Sequence, residues 1–159
     1  GGFDVDVYNG SVVAELTDVH MNDVYWVGGW DIETVSGNTG RLDFTIAGSS
    51  FNDSDYALWF GSEVAGDIVI TDTDFTNIGY AVIFFFNSPA GDLSIEMQNV
   101  MMDNVYRGID PAIAGNISLV LESVQINDTY ELGWFYAFND DNSAVINVVM
   151  NDCVFSNAT

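Results

Sequence analysis

Two arginines, one histidine and a surplus of carboxylates are the residues of this chain that could do chemistry. Arg41 and Arg107 stand alone, lysine is absent, and His20 is the single histidine. Against them are 24 Asp and Glu residues, for a formal net charge of −22. Paired carboxylates can hydrolyse a glycosidic bond, but the densest pair, Asp140-Asp141, sits in "FNDDNS". That run of Asn, Asp and Ser reads as a corner. Calcium takes six to eight oxygens, and neither a nonapeptide calcium repeat nor an EF-hand loop is present. Asp23, Asp53 and Asp128 are left as weak calcium positions; no other cofactor is implied. A chain this acidic repels nucleic acid and anionic lipid. No run of 18 apolar residues provides a membrane-crossing helix. The acidity reads as a solvated surface or as a surface held together by cations.

The elements that would position these groups come from a repeat. In "VLESVQINDTYELGW" apolar residues fall at Leu121, Val124 and Ile126, a strand alternation that stumbles by one residue before an Asn-Asp pair. The same five-point template, Ile117, Leu119, Leu121, Val124 and Ile126, recurs along the chain. It is Val12, Ala14, Leu16, Val19 and Met21, then Leu42, Phe44, Ile46, Ser49 and Phe51. It returns as Gly66, Ile68, Ile70, Thr73 and Phe75, as Leu93, Ile95, Met97, Val100 and Met102, and as Ile146, Val148, Met150, Cys153 and Phe155. The anchors at 21, 51, 75, 102, 126 and 155 define a period of 24–30 residues, the signature of a solenoid. Each anchor precedes a polar pair containing Asn22, Asn52, Asn77, Asn104, Asn127 or Asn157. Asn and Asp tolerate left-handed backbone angles, so this ladder is expected to turn the chain. A third apolar run follows, as in "YALWF" and "YAVIFFF". Gly10, Gly40, Gly66, Gly91 and Gly115 suit the remaining corner, and Pro89 and Pro111 fall between coils. The expectation is an all-β parallel β-solenoid, a right-handed β-helix of about six coils with three short strands each, forming one domain over 1–159.

An h-x-h-x-h strand, an "F-x-N" turn and a further apolar strand, clearest in "DFTNIGYAVIFFF" (74–86) and "CVFSNAT" (153–159), resemble the β-helix repeats of polymorphic outer-membrane proteins and related adhesins. The resemblance implies an extracellular β-helix and no particular activity. The Gly-Gly-Ala usual after the Asn turn is missing, and Gly28-Gly29 is its nearest approach. Many β-helices cleave acidic polysaccharides. Here isolated arginines, an outward-facing His20, near-minimal coils and the −22 charge argue against an enzyme.

Other residues bear on location and partners. Asn-x-Ser/Thr occurs at Asn9, Asn52, Asn116, Asn127 and Asn157, above the roughly two that chance gives; the sites mark glycosylation or simply turn chemistry. Cys153 belongs to an inward column and is expected to be a buried, inert thiol. Trp26, Trp30, Trp59 and Trp134 could build a face for cell-surface glycans, or pack as part of the third strand. Neither end carries a capping helix, and "FDVDV" places Phe3, Val5 and Val7 in alternation before the first coil. Solenoid ends without caps template further pairing. Residues 1–9 are therefore expected to complement the last coil of a neighbouring copy, with Phe3, Val5, Val7 and Phe155 at the joint. The reading is a non-enzymatic extracellular protein that polymerises head to tail into a filament, sheath or surface layer. The alternative is a β-helix piece of a larger adhesin or carbohydrate-binding surface protein.

Overall fold

The alternating runs become strands where the apolar spacing puts them. Val12–Thr17, Leu42–Ala47, Gly66–Thr71, Leu93–Gln98, Ile117–Glu122 and Ile146–Asn151 stack in that order as one six-stranded parallel sheet in a computed structural model. Described are residues 3–7, 10–24, 27–34, 40–61, 66–85, 91–110, 112–113, 115–133, 136–137 and 144–157. For 3–7, 27–34, 61, 85, 112–113, 132–133 and 136–137 the description is of backbone only. No helix occurs among the described residues, and the fold is a parallel β-solenoid.

Register follows the template. Leu121 pairs with Met97 on one side and Met150 on the other. The anchors stack as Met21, Phe51, Phe75, Met102, Ile126 and Phe155, each opposite the next. Phe51 and Phe75 lie nearly flat on each other, 5.3 Å between centroids. The template positions of the four central coils are all buried. In the first coil Val12 and Leu16 are buried, while Ala14, Val19 and Met21 are partly covered. In the last coil Ile146, Val148, Met150 and Phe155 are 40–45% exposed, because no further coil covers them in this structure.

The stumble has a backbone cause. One residue in each coil, Asp18, Gly48, Asp72, Asn99, Ser123 or Asp152, takes a left-handed φ of 50–59°. It turns the strand once, so the next inward side chain falls three positions on instead of two. The second corner is a second left-handed column: Asp23, Asp53, Asn77, Asn104, Asp128 and Asn157, at φ 47–56°. The turning residue is thus the second of each polar pair; Asn22 and Asn127 end strands instead, and Asn52 lies inside one. This corner also does not end pairing. Ser50–Gly61, Asp74–Phe85 and Met101–Asp110 run through it as single strands, with Asp103 opposite Thr76 before the bend and Val105 opposite Ile78 after it. The expected second and third strands therefore merge in three coils into a nine-stranded sheet, with a small Ala112–Ile113/Tyr136–Ala137 pair beside it.

Of the polar residues buried in the coils, Ser54 has a hydroxyl without a hydrogen-bond partner among the described residues, while Ser49 and Thr73 are satisfied at the first corner. The Ser49 and Thr73 hydroxyls each donate to the carbonyl two residues earlier, at 2.9 and 2.8 Å. At the remaining corner Gly91 has φ 107°, and a Cβ on Gly115 would collide with the Gly91 carbonyl of the coil before. Phe3–Val7 lies in the third-strand path one level beyond the first coil, with Val5 opposite Ile32 of Val27–Thr34.

Ser123 tests the corner. A β-branched residue is disfavoured at its φ of 54°, so Ser123→Val should cost about 1–2 kcal/mol. Ser123→Gly should be neutral or stabilising. Thermal unfolding of the two variants should move in opposite directions or differ by that amount.

Candidate functional site

The outward columns carry the polar chemistry, and stacking brings each residue against its counterpart about 4.8 Å away. The carboxylates are mostly interleaved with amides. Asn77 donates to Asp53 at 2.8 Å, Asn99 to Asp72 at 3.0 Å and Asn116 to Asp92 at 3.0 Å. The ladder continues from Asn104 to Asn77, and a neighbouring column joins Asn52 to Asn22, both at 2.7 Å. It breaks at the fifth coil, where Asp128 follows Asn104 and has no hydrogen to donate.

Each arginine bridges two carboxylates on different coils. Arg41 holds Asp43 at 2.6 Å and also Asp67, which stand opposite each other in register. Arg107 holds Asp110 and Glu131, both at 2.7 Å, and donates to the Tyr80 hydroxyl at 3.2 Å. Its guanidinium lies 5.4 Å from the ring centroids of Tyr80 and Tyr106, within cation–π range. Burial alone would lower its pKa, but the hydrogen bonds to Asp110 and Glu131, with the charge of Asp110, outweigh that and raise it.

Around Arg107 the sheet carries a continuous run of aromatic rings over four coils. Trp59 meets Phe84 at 4.6 Å and Tyr56 at 4.7 Å, and Tyr56 meets Tyr80 at 4.9 Å. Tyr80 leads to Tyr106 at 6.1 Å, and Tyr106 stacks on Tyr130 at 5.0 Å with planes 3° apart. Burial, with Tyr80 and Asp55 adding to it, pushes the Tyr56 phenol above its usual range. Tyr106 and Tyr130 are 40% and 52% exposed and form one wall of a groove of about 440 Å³. Asn77, Asn104 and Asp128 line it on the other side. The sequence reading weighed tryptophans and overlooked these tyrosines. The signal was there: Tyr56, Tyr80, Tyr106 and Tyr130 recur at the repeat period.

The remaining expectations fall out unevenly. His20 is exposed and bonded to Asp18 and Ser50. Asp23 and Asp53 occupy one column on adjacent coils, but Asp128 is three coils further from Asp53, so the three are not brought together. Among the described residues no three His, Cys, Asp or Glu side chains gather to hold a metal. Cys153 is half-buried and not enclosed as expected, because it lies on the last coil; its thiol donates to the Asn151 carbonyl at 3.4 Å. Phe155 is exposed. The amides of Asn52 and Asn116, the atoms a glycan would be attached to, are spent on the preceding coil. Asn127 accepts from the Ser156 hydroxyl, and Asn157 is exposed in the second-corner column. Trp26, Trp134, Asn9, Asp140 and Asp141 lie outside the described residues, as do Pro89 and Pro111. So do the side chains of Phe3, Val5, Val7 and Trp30.

Compared with known proteins, the chain matches no family model, no curated protein and no solved structure. The likeness to outer-membrane repeats thus gains no family match, and the parallel solenoid itself is what stands.

Removing the guanidinium should expose what it compensates. Arg107→Met leaves Asp110 and Glu131 side by side without a counter-charge, and should cost about 3 kcal/mol in chemical denaturation. Arg107→Lys should recover only part, since one ammonium replaces a planar fork that reaches two carboxylates and two rings.

Proposed function

We propose that this protein is a structural solenoid that adds to copies of itself along its axis, forming an extracellular filament, sheath or surface layer. The observation that supports the reading is the open face of the sixth coil. Ile146, Val148, Met150 and Phe155 continue columns that are buried in the coils before them, yet they stand 40–45% exposed beside the unpaired edge of Ile146–Asn151. That edge offers backbone donors and acceptors in the register that every earlier coil uses. The first coil of a second copy offers the free edge of Val12–Thr17, built on the same template, to pair with it; its own Val12 and Leu16 are already buried.

The Phe3–Val7 strand fits this scheme, because it occupies the third-strand path one level outside the first coil. In the stack it would lie against the third-strand path of the preceding copy, beyond Glu131–Gly133, which pairs on its other side with Met101–Asp110. This is strand addition. Each hydrogen bond contributes about 1 kcal/mol net. Ten or so, with the apolar side chains buried between them, can offset the entropy of association.

A filament seen by electron microscopy of the 159-residue protein, and absent in Val148→Lys and in a variant lacking residues 1–8, would bear the reading out. Both variants should remain folded by circular dichroism, since Val148 is already half in water. Wild-type protein that stays monomeric at every concentration and salt would overturn it. The open face would then belong to further coils of a longer adhesin. Because copies carrying −22 must approach one another, polymer mass should rise with salt as the screening length falls from about 30 Å at 0.01 M to about 10 Å at 0.1 M. Light scattering that falls with added salt would contradict this.

A further inference from the structure

We propose that the groove between the amide ladder and Tyr106/Tyr130 binds a neutral, polyhydroxylated glycan lying along the solenoid axis. The inference stands on the side of the solenoid and is independent of what covers its end.

Three observations point to this ligand class. The first is the break in the ladder. Asn104 spends its amide on Asn77, while the next residue of the column is Asp128. The Asn104 side-chain oxygen and the Asp128 carboxylate are therefore successive acceptors with no donor between them among the described residues. A row of acceptors is complemented by donors, and a sugar supplies them as hydroxyls at close intervals.

The second is the opposite wall. Tyr106 and Tyr130 are held parallel, 5.0 Å apart, by the coil repeat, and both are substantially exposed. Because they cover each other's faces, they turn their ring edges to the groove, and their phenol hydroxyls can exchange hydrogen bonds with the hydroxyls of a sugar. The groove is open and runs parallel to the stack, so it suits a chain molecule more than an enclosed monosaccharide.

The third is charge. The −22 field opposes uronates and sulfated sugars. A cationic partner would find the Tyr80 and Tyr106 rings already taken by Arg107 and a lone carboxylate, Asp128, in the lining of the groove. Neutral hydroxyls are what remains.

The test is native affinity electrophoresis at low salt through gels containing hydroxyethylcellulose, xyloglucan or mannan, with alginate and oligolysine as acidic and basic comparators. At least one neutral polymer should retard the protein and alginate should not. The Tyr106→Ala/Tyr130→Ala double variant, folded by circular dichroism, should weaken retardation at least tenfold. Asp128→Asn should act in opposite senses: it lets the ladder continue to Asn104 and raises the melting temperature, while it weakens retardation. No retardation by any neutral polymer, or retardation unchanged in the double variant, overturns the proposal. Retardation by alginate, or oligolysine binding lost in the same variants, also overturns it and assigns the groove to a charged partner.

Discussion

Parallel, in-register stacking is the constraint on which the rest of this structure depends. It sets every side chain about 4.8 Å from its counterpart on the next coil, so each column must tolerate its own repetition. Apolar columns tolerate it well: Phe51 on Phe75, or Leu119 between Ile95 and Val148, gain packing from likeness. Carboxylate columns do not, since like charges opposite one another are destabilising. An acidic chain with two arginines has few cations to spend. Where Asp43 meets Asp67 it places Arg41 across both, and elsewhere an amide answers the carboxylate of a neighbouring coil, as in Asp53–Asn77, Asp72–Asn99 and Asp92–Asn116. The abundance of asparagine is thus as much an electrostatic device as a turn device.

The corners answer to the same constraint. A turn built from several residues would have to repeat its whole conformation at every level. One left-handed residue is the smallest bend available, and it leaves the ladder intact on both sides. Two such columns, at Ser123 and Asp128 and their counterparts, make two of the coil's corners, the third falling near Gly91 and Gly115, and strands such as Asp74–Phe85 pass through the second without ending.

Much of this was legible because the columns repeat. The inward template and its anchor register could be read directly, since each depends only on apolar spacing. The first left-handed column was harder to see. Asp18, Gly48, Asp72, Asn99, Ser123 and Asp152 share no residue type, only a backbone angle, and the sequence showed them as a missing step. The aromatic run was hidden for another reason. Tyr80 and Tyr106 come together through a register shift between Val105 and Arg107, and Arg107 reaches partners three and 24 residues away. Solitary in the sequence, it is one of the most connected side chains in the fold. Cys153 shares a column with the buried Val100 and Val124 but is only half-buried, because no further coil covers it in this structure.

Stacking also separates the surfaces of the solenoid into two kinds. Its sides carry the carboxylates and amides, which in a repeating structure have found their partners within the chain or in water. Its last coil carries apolar columns, Ile146, Val148, Met150 and Phe155, exposed beside the free edge of Ile146–Asn151. On the proposed reading such a particle repels its copies broadside and accepts them end-on. In the proposed assembly the −22 charge therefore does not simply oppose association; it directs it. Lateral contacts meet repulsion along the whole length, whereas an axial contact adds one coil step and buries Ile146, Val148, Met150 and Phe155. In that assembly growth along a single axis follows from where the apolar columns and the free strand edge lie, with the joint using the register that already aligns every coil with the next.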